Sequence, residues 1–217
     1  MDSIKSDYYV EPAGSASYES NIKRSRFIAN VIPCRDENTV KERLKELCVI
    51  HRQANHNCWA YVLGTEPGHF SDAGEPSGTA GRPILREITR SELINLLVVV
   101  TRYFGGVKLG TRGLIEAYSG TAAQALVLCP RAERIMTREV KVYFPYNSMG
   151  DVTHLLTITG MEGELIWDFS TEQSENGTSE ALVTVKASFK NSAFQGLLPK
   201  LDELNNRKII SGYELTH

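Results

Sequence analysis

Residues 98–126 read VVVTRYFGGVKLGTRGLIEAYSGTAAQAL. Three pieces follow one another without a break. The β-branched run at 98–101 predicts a strand buried on both faces. It ends in the trio Arg102, Tyr103 and Phe104, and a loop then sets Gly105, Gly106, Gly110 and Gly113 around Lys108 and Arg112. Residues 112–128 place Leu114, Tyr118, Ala122, Ala125 and Leu126 on one helical face, where small side chains allow close approach to a sheet. Glycine accepts positive φ and lets another backbone or a ligand come near. Loop N–H groups and a helix N-terminus attract anions, and two cations strengthen that attraction. The stretch thus predicts an anion-facing turn with Arg102, Lys108 and Arg112 as contacts to phosphate or an RNA backbone. Tyr103 or Phe104 can stack on a base or fill the core. The plainer alternative is a glycine turn that only joins a buried strand to a close-packed helix. A P-loop is excluded, because Gly110 is followed by Thr111 and Arg112 rather than Lys-Ser/Thr, and the glycine spacing is not that of a dinucleotide fold.

Upstream, residues 22–34 contain a strand after a polar, turn-rich lead-in. Residues 36–50 form a helix with Val40, Leu44, Leu47 and Cys48 on one face and Asp36 as its cap. A short strand spans 58–63. Residues 64–82 form a loop too long for a simple connector, and Pro83 suits the first turn of a short helix at 84–89. Downstream, Pro130 and the polar segment to Thr137 mark a boundary, dividing the chain into domains 1–134 and 138–217. The second half alternates at Val140, Val142 and Phe144, turns helical at 148–159, and alternates again at Leu165, Trp167 and Phe169. A polar turn at 171–179 leads to a strand at 181–189. Asn191 caps a helix bearing Phe194, Leu197, Leu198, Leu201 and Leu204, and a strand at 209–215 ends the chain. This β-α-β-β-α-β order is that of a ferredoxin-like sandwich. The fold class is α+β in two domains.

Composition narrows the function. No apolar run approaches the ~18 residues of a membrane span, and the first ten residues lack the apolar stretch of a signal peptide. Cys34, Cys48, Cys58 and Cys129 are scattered, which suits reduced thiols in a cytoplasmic protein. Residues 1–137 carry 17 Lys/Arg against 15 Asp/Glu, whereas 138–217 carry 7 against 11. Neither half is basic enough to coat nucleic acid, so such contact must come from a local patch.

Two further constellations stand out. In SDAGEPSGTAGRPIL, residues 71–85, Asp72 and Glu75 flank Gly74. They suit a metal or general acid/base pair, but the favoured reading is an Asx-type turn with Glu75 hydrogen-bonded to backbone amides. In HRQANHNCW, residues 51–59, His51, His56 and Cys58 have no zinc-site spacing. His56 suits a hydrogen-bond donor or an acid/base set with Asp72 and Glu75. No metal or cofactor is expected.

The glycine-basic stretch, together with SRFIA at 25–29, NHNCWAY at 55–61 and the acidic loop, closely resembles the YigZ/IMPACT family over about residues 18–128. The second half resembles the extra domain of its bacterial members. The resemblance implies an N-terminal ribosomal protein S5 domain 2-like fold and a ferredoxin-like C-terminal domain. Eukaryotic relatives regulate translation by competing for a kinase activator, and the family supplies no established catalytic residues. Its motifs map onto Arg102, Gly105, Gly106, Lys108, Gly110 and Gly113, and onto Asp72, Gly74, Glu75, Pro76 and Gly78. The expected role is an RNA- or ribosome-associated factor in translation regulation. A phosphate-directed hydrolase using His56, Asp72 and Glu75 and a purely protein-binding module stay open beside it. Oligomeric state is not specified by the sequence.

Overall fold

The computed structural model describes residues 7–173 and 179–216. The chain divides into two compact units, Tyr9–Arg134 and Ile135–His217, the latter joined by the short lead-in ending at Tyr8.

The first unit runs β1 (Tyr8–Pro12), β2 (Ala16–Ile22), β3 (Ser25–Pro33), α1 (Glu37–Ile50), β4 (His56–Val62), β5 (His69–Ser71), α2 (Gly81–Ser91), β6 (Leu96–Tyr103), α3 (Gly110–Leu128) and β7 (Arg131–Ile135). Five strands form one antiparallel sheet in the order β2-β3-β6-β4-β5, and β1 pairs with β7. The apolar run occupies the centre: β6 is buried from Leu96 through Arg102. Its even-numbered residues Leu96, Val98 and Val100 join the core beneath α2 and α3, while Leu97 and Val99 face a smaller core under α1. A strand covered on both faces reads as continuous hydrophobicity, as expected. Asp36 caps α1 by accepting from the Thr39 N–H at 2.8 Å.

The polar lead-in contains strands that its composition hides. In β2 the residues alternate between half-buried and exposed, and Ser20 meets Thr121 of α3 through a 2.8 Å hydroxyl pair. The long loop likewise contains β5, three residues paired on the edge of β4.

Glu11 of β1 is 3% exposed and ties distant segments together. Its carboxylate accepts from Arg35, Arg134 (2.9 Å) and Asn95 (3.1 Å). The Arg35 hydrogen bonds first, and those of Arg134 and Asn95 with them, outweigh burial and hold its pKa at about 2, against an ordinary 4.5. A depressed carboxylate stabilises the fold above its unfolded pKa. That stability is lost as pH falls from about 4.5 to about 2. Both arginines are half-exposed or more, so screening limits the contribution to roughly 1–3 kcal/mol. Glu11→Gln should flatten the acid limb of a stability-against-pH curve measured by urea denaturation; an unchanged acid limb would contradict this.

The second unit contains β8 (Thr137–Pro145), α4 (Met149–Ile158), β9 (Met161–Gln173), β10 (Ser179–Lys190), α5 (Asn191–Asn206) and β11 (Gly212–Thr216), with a 3-10 turn at Tyr146–Ser148. Its sheet order is β11-β8-β10-β9, antiparallel throughout. The tip of the expected 171–179 turn lies outside the described residues. Val140, Val142, Phe144, Val183, Val185 and Phe189 pack with Phe194, Leu197 and Leu201 of α5. Asn191 is the first helical residue rather than the cap. The α5 N-terminus is capped from afar: the Asp7 carboxylate accepts from the Ser192 N–H (2.7 Å) and hydroxyl (2.6 Å). No helix among the described residues is long and apolar enough to cross a membrane.

Candidate functional site

Strand pairing sets Phe27 of β3, Arg102 of β6 and His56 of β4 side by side. Directly opposed residues on neighbouring strands share a face. That row lies at the end of the sheet from which the glycine loop leaves. The acidic loop brings Glu75 to the same place, where it is 8% exposed. Glu75 Oε1 accepts from Arg102 Nη1 at 2.6 Å and from the Tyr118 hydroxyl of α3 at 2.8 Å. His56 Nε2 stands 4.0 Å from the same oxygen. His56 Nδ1 lies 3.0 Å from the Ala73 carbonyl. A carbonyl only accepts, so Nδ1 carries a proton and directs Nε2 toward Glu75.

Asp72 has a different task. One carboxylate oxygen accepts from Gly78 N–H (2.8 Å), the other from Ala80 (3.0 Å) and Gly81 (2.8 Å). Burial pushes its pKa up, but these amides more than offset that, and the carboxyl stays below its ordinary 3.8. It therefore closes the acidic loop onto the start of α2, which has no side-chain cap of its own. The amides are bonded by Asp72 and not by Glu75, and they lie six to nine residues on, so the carboxylate clasps the whole loop where an Asx-type turn would reach only two residues; Glu75 is left to converge with His56. The Cys58 thiol donates to the Asp72 carbonyl, and burial pushes its pKa to about 12. Burial also raises the Tyr118 hydroxyl far above its ordinary value, with neighbouring Cys58 and Glu75 adding to the effect. Both remain protonated donors at neutral pH.

The glycine-basic stretch splits by depth. Arg102 is 5% exposed and its charge is met by Glu75, so it lies below the loop instead of on it. The guanidinium carbon lies 5.5 Å from the Phe27 ring centre and 5.3 Å from that of Phe104, and the Arg102 Nε has no hydrogen-bond partner among the described residues. Tyr103 is held by Arg26 over its ring (4.9 Å) and by a 2.9 Å bond from its hydroxyl to His51 Nδ1. Phe104 emerges, 44% exposed, with its N–H bonded to Asn55 Oδ1 at 2.8 Å. Gly106, Lys108 and Gly110 are exposed, and Gly110 opens α3 at φ 75° with no side-chain cap. Gly113 sits in the first turn of α3 against Leu109. Arg112 is exposed and pairs with Glu116 at 2.8 Å.

Two cations were not singled out by sequence. Lys23 and Arg24 form the two-residue turn between β2 and β3, at φ 45° and 68°. Such hairpin turns favour Asn and Gly, so a Lys-Arg pair there carries backbone strain. A chain reader needs the β2 strand in hand to see this signal. Gly105 packs against the turn: a Cβ there would sit inside the van der Waals shell of the Arg24 carbonyl. Gly105→Ala is accordingly expected to destabilise the unit by about 1–3 kcal/mol or more, by overpacking against backbone, with thermal denaturation as the check. A melting point equal to that of the parent would show that the turn yields freely. Among the described residues, Lys23, Arg24 and Lys108 make no ion pair.

These residues cluster at one sheet end within Tyr9–Arg134, and sequence comparison covers the same region. The family model for the Impact N-terminal domain matches residues 23–126. An IMPACT family member from Thermus thermophilus is 43% identical over 145 residues, 66% of this chain and 78% of that one. YvyE of Bacillus subtilis is 37% identical over 156 residues, 70% of each chain. A Haemophilus influenzae member is 30% identical over 196 residues, 81% of this chain and 95% of its own. The crystal structure of a hypothetical protein superposes on 97% of each chain at 26% identity with a TM-score of 0.67, so the likeness extends through both units. With the glycine-basic loop, the acidic loop and the intervening strands all inside the matched region, the chain belongs to the IMPACT family.

Proposed function

We propose that this protein is an RNA- or ribosome-associated factor in the regulation of translation, and that its contact surface is the exposed end of the first unit. Lys108 and Arg112 on the glycine loop and Lys23 and Arg24 on the adjoining turn would meet phosphate. Arg102 would act from beneath as a support. The observation that carries this reading is the gathering of Lys23, Arg24 and Lys108, free of carboxylates among the described residues, around an open loop and an uncapped helix start. Translation as the setting follows from the family resemblance. In the same reading the first unit has the ribosomal protein S5 domain 2-like fold and the second the ferredoxin-like one, within the cytoplasm. The second unit, with its acidic balance, would supply shape or a protein contact.

The hydrolase reading keeps one favourable observation, the 4.0 Å approach of His56 to Glu75. Glu75 Oε1 is already engaged by two donors and Asp72 by three, so both carboxylates serve as structural acceptors and His56 would have to act as the base alone.

RNA affinity measured across a salt series tests the proposal. Neutralising about four phosphates predicts a log–log slope of roughly −3 to −4. Lys108→Ala/Arg112→Ala should weaken binding and flatten that slope. A slope near zero, or undiminished binding by the double variant, would refute the proposal.

A further inference from the structure

The exposed ring of Phe104 distinguishes this surface from a simple phosphate patch. Three observations bear on it. Its backbone N–H is fixed by Asn55, so the residue leaves the sheet at a set position. The guanidinium of Arg102 lies against it, with Nε lacking a hydrogen-bond partner among the described residues although the residue is 5% exposed. A buried cation facing one side of an aromatic ring is itself favourable and leaves the other side as a flat platform. Cations also flank it in sequence and in space: Lys108 lies four residues on, and Arg24 packs against Gly105 next door.

We infer that the ligand of this surface is single-stranded nucleic acid, and that Phe104 stacks on one unpaired base while Lys23, Arg24 and Lys108 hold the flanking phosphates. The inference rests on the RNA reading and names its substrate class. A duplex keeps its base faces occupied by stacking, so an aromatic platform selects unstacked bases. Any base offers a π-face, so sequence preference should be slight. Tyr103 suits the role less, because it is only half-buried where Phe104 is exposed, and its hydroxyl is tied to His51. Val107 in the same loop is also 38% exposed, but the cations Lys23, Arg24 and Lys108 about the ring favour a polyanion over an apolar protein partner.

The test uses the full chain and three labelled probes: a ten-nucleotide oligouridylate, an abasic strand of equal length and an RNA duplex. Fluorescence anisotropy is read for the parent, Phe104→Ala, Phe104→Leu and Phe104→Trp. Phe104→Ala is expected to lose ~10- to 100-fold affinity for oligouridylate, with little change on the abasic strand and an unaltered salt slope. Phe104→Trp should keep parental affinity, while Phe104→Leu, which preserves apolar bulk, should fall with the alanine variant. Near-UV circular dichroism verifies that the variants are folded. Equal parental affinity for oligouridylate and abasic strand, or full affinity in Phe104→Ala, would overturn the stacking assignment and leave phosphate binding standing. Absence of salt-dependent binding to every probe would instead overturn the RNA reading itself. Ribosome association that survives nuclease yet requires Phe104 would assign the ring to a protein and also overturn this inference.

Discussion

Glu75→Ala is expected to destabilise the first unit by about 3–5 kcal/mol, the cost of leaving a buried charge without its partner. The variant removes the carboxylate oxygen that accepts from both Arg102 and Tyr118, at 2.6 and 2.8 Å, while both stay buried. Solvent cannot replace the carboxylate without opening the acidic loop. Urea denaturation followed at Trp59, in a Trp167→Phe background that silences the second unit, reads this directly. Removing both charges is expected to cost far less than the single change. Glu75→Ala/Arg102→Met replaces an ion pair by apolar bulk, an exchange that is often close to neutral. The coupling between the two substitutions should therefore exceed about 1 kcal/mol. Additive effects would show that the pair does not act as a unit.

Asp72→Ala is the second large effect, at about 3 kcal/mol. It strips three backbone N–H groups of their acceptor, two of them on the buried residues Ala80 and Gly81. A buried donor left unsatisfied costs about 1–3 kcal/mol, and solvent entering the loop recovers part of the total. The pH dependence has a definite sign. The folded carboxyl titrates below its ordinary 3.8, so its stabilisation is present above that pH and is lost as pH falls through the folded value. The stability gap between parent and Asp72→Ala should be full at pH 7 and shrink below about pH 4. A gap that persists undiminished at pH 2 would mean that the charge is not what holds the loop.

Much of the fold was legible because its determinants are local. Period and capping located α1 and its Asp36 cap, the buried β6, the small-residue helix α3 and the strand–helix order of the second unit. The strands that escaped notice share a physical cause. β2 buries one face only against α3, β5 is three residues on an edge, and β1 and β7 form a separate two-stranded ribbon, with β1 adding a single bridge from Val10 to Leu93. None buries enough apolar surface to write a strong alternation. The site was legible in residue type and hidden in depth. Arg102, Tyr103 and Phe104 read as one basic-aromatic group, yet alternation at the strand end separates them. The first is buried against Glu75, the second is held by Arg26 and His51, and the third emerges to solvent. Lys23 and Arg24 looked like part of a polar lead-in until the pairing of β2 with β3 placed them in a strained turn beside Gly105.

The sequence by itself determined the longer, more deeply buried elements, the glycine loop and the family, since propensity, periodicity and turn chemistry act over a few neighbouring residues. Tertiary structure alone decided which charges are spent inside the molecule and which face solvent. Glu75 meets Arg102 across 27 positions, and Asp72 closes its own loop, while Lys23, Arg24 and Lys108 are left without carboxylates among the described residues. Electrostatic partnership depends on distance through space and on exclusion of water, and neither quantity is written in the spacing of residues along a chain.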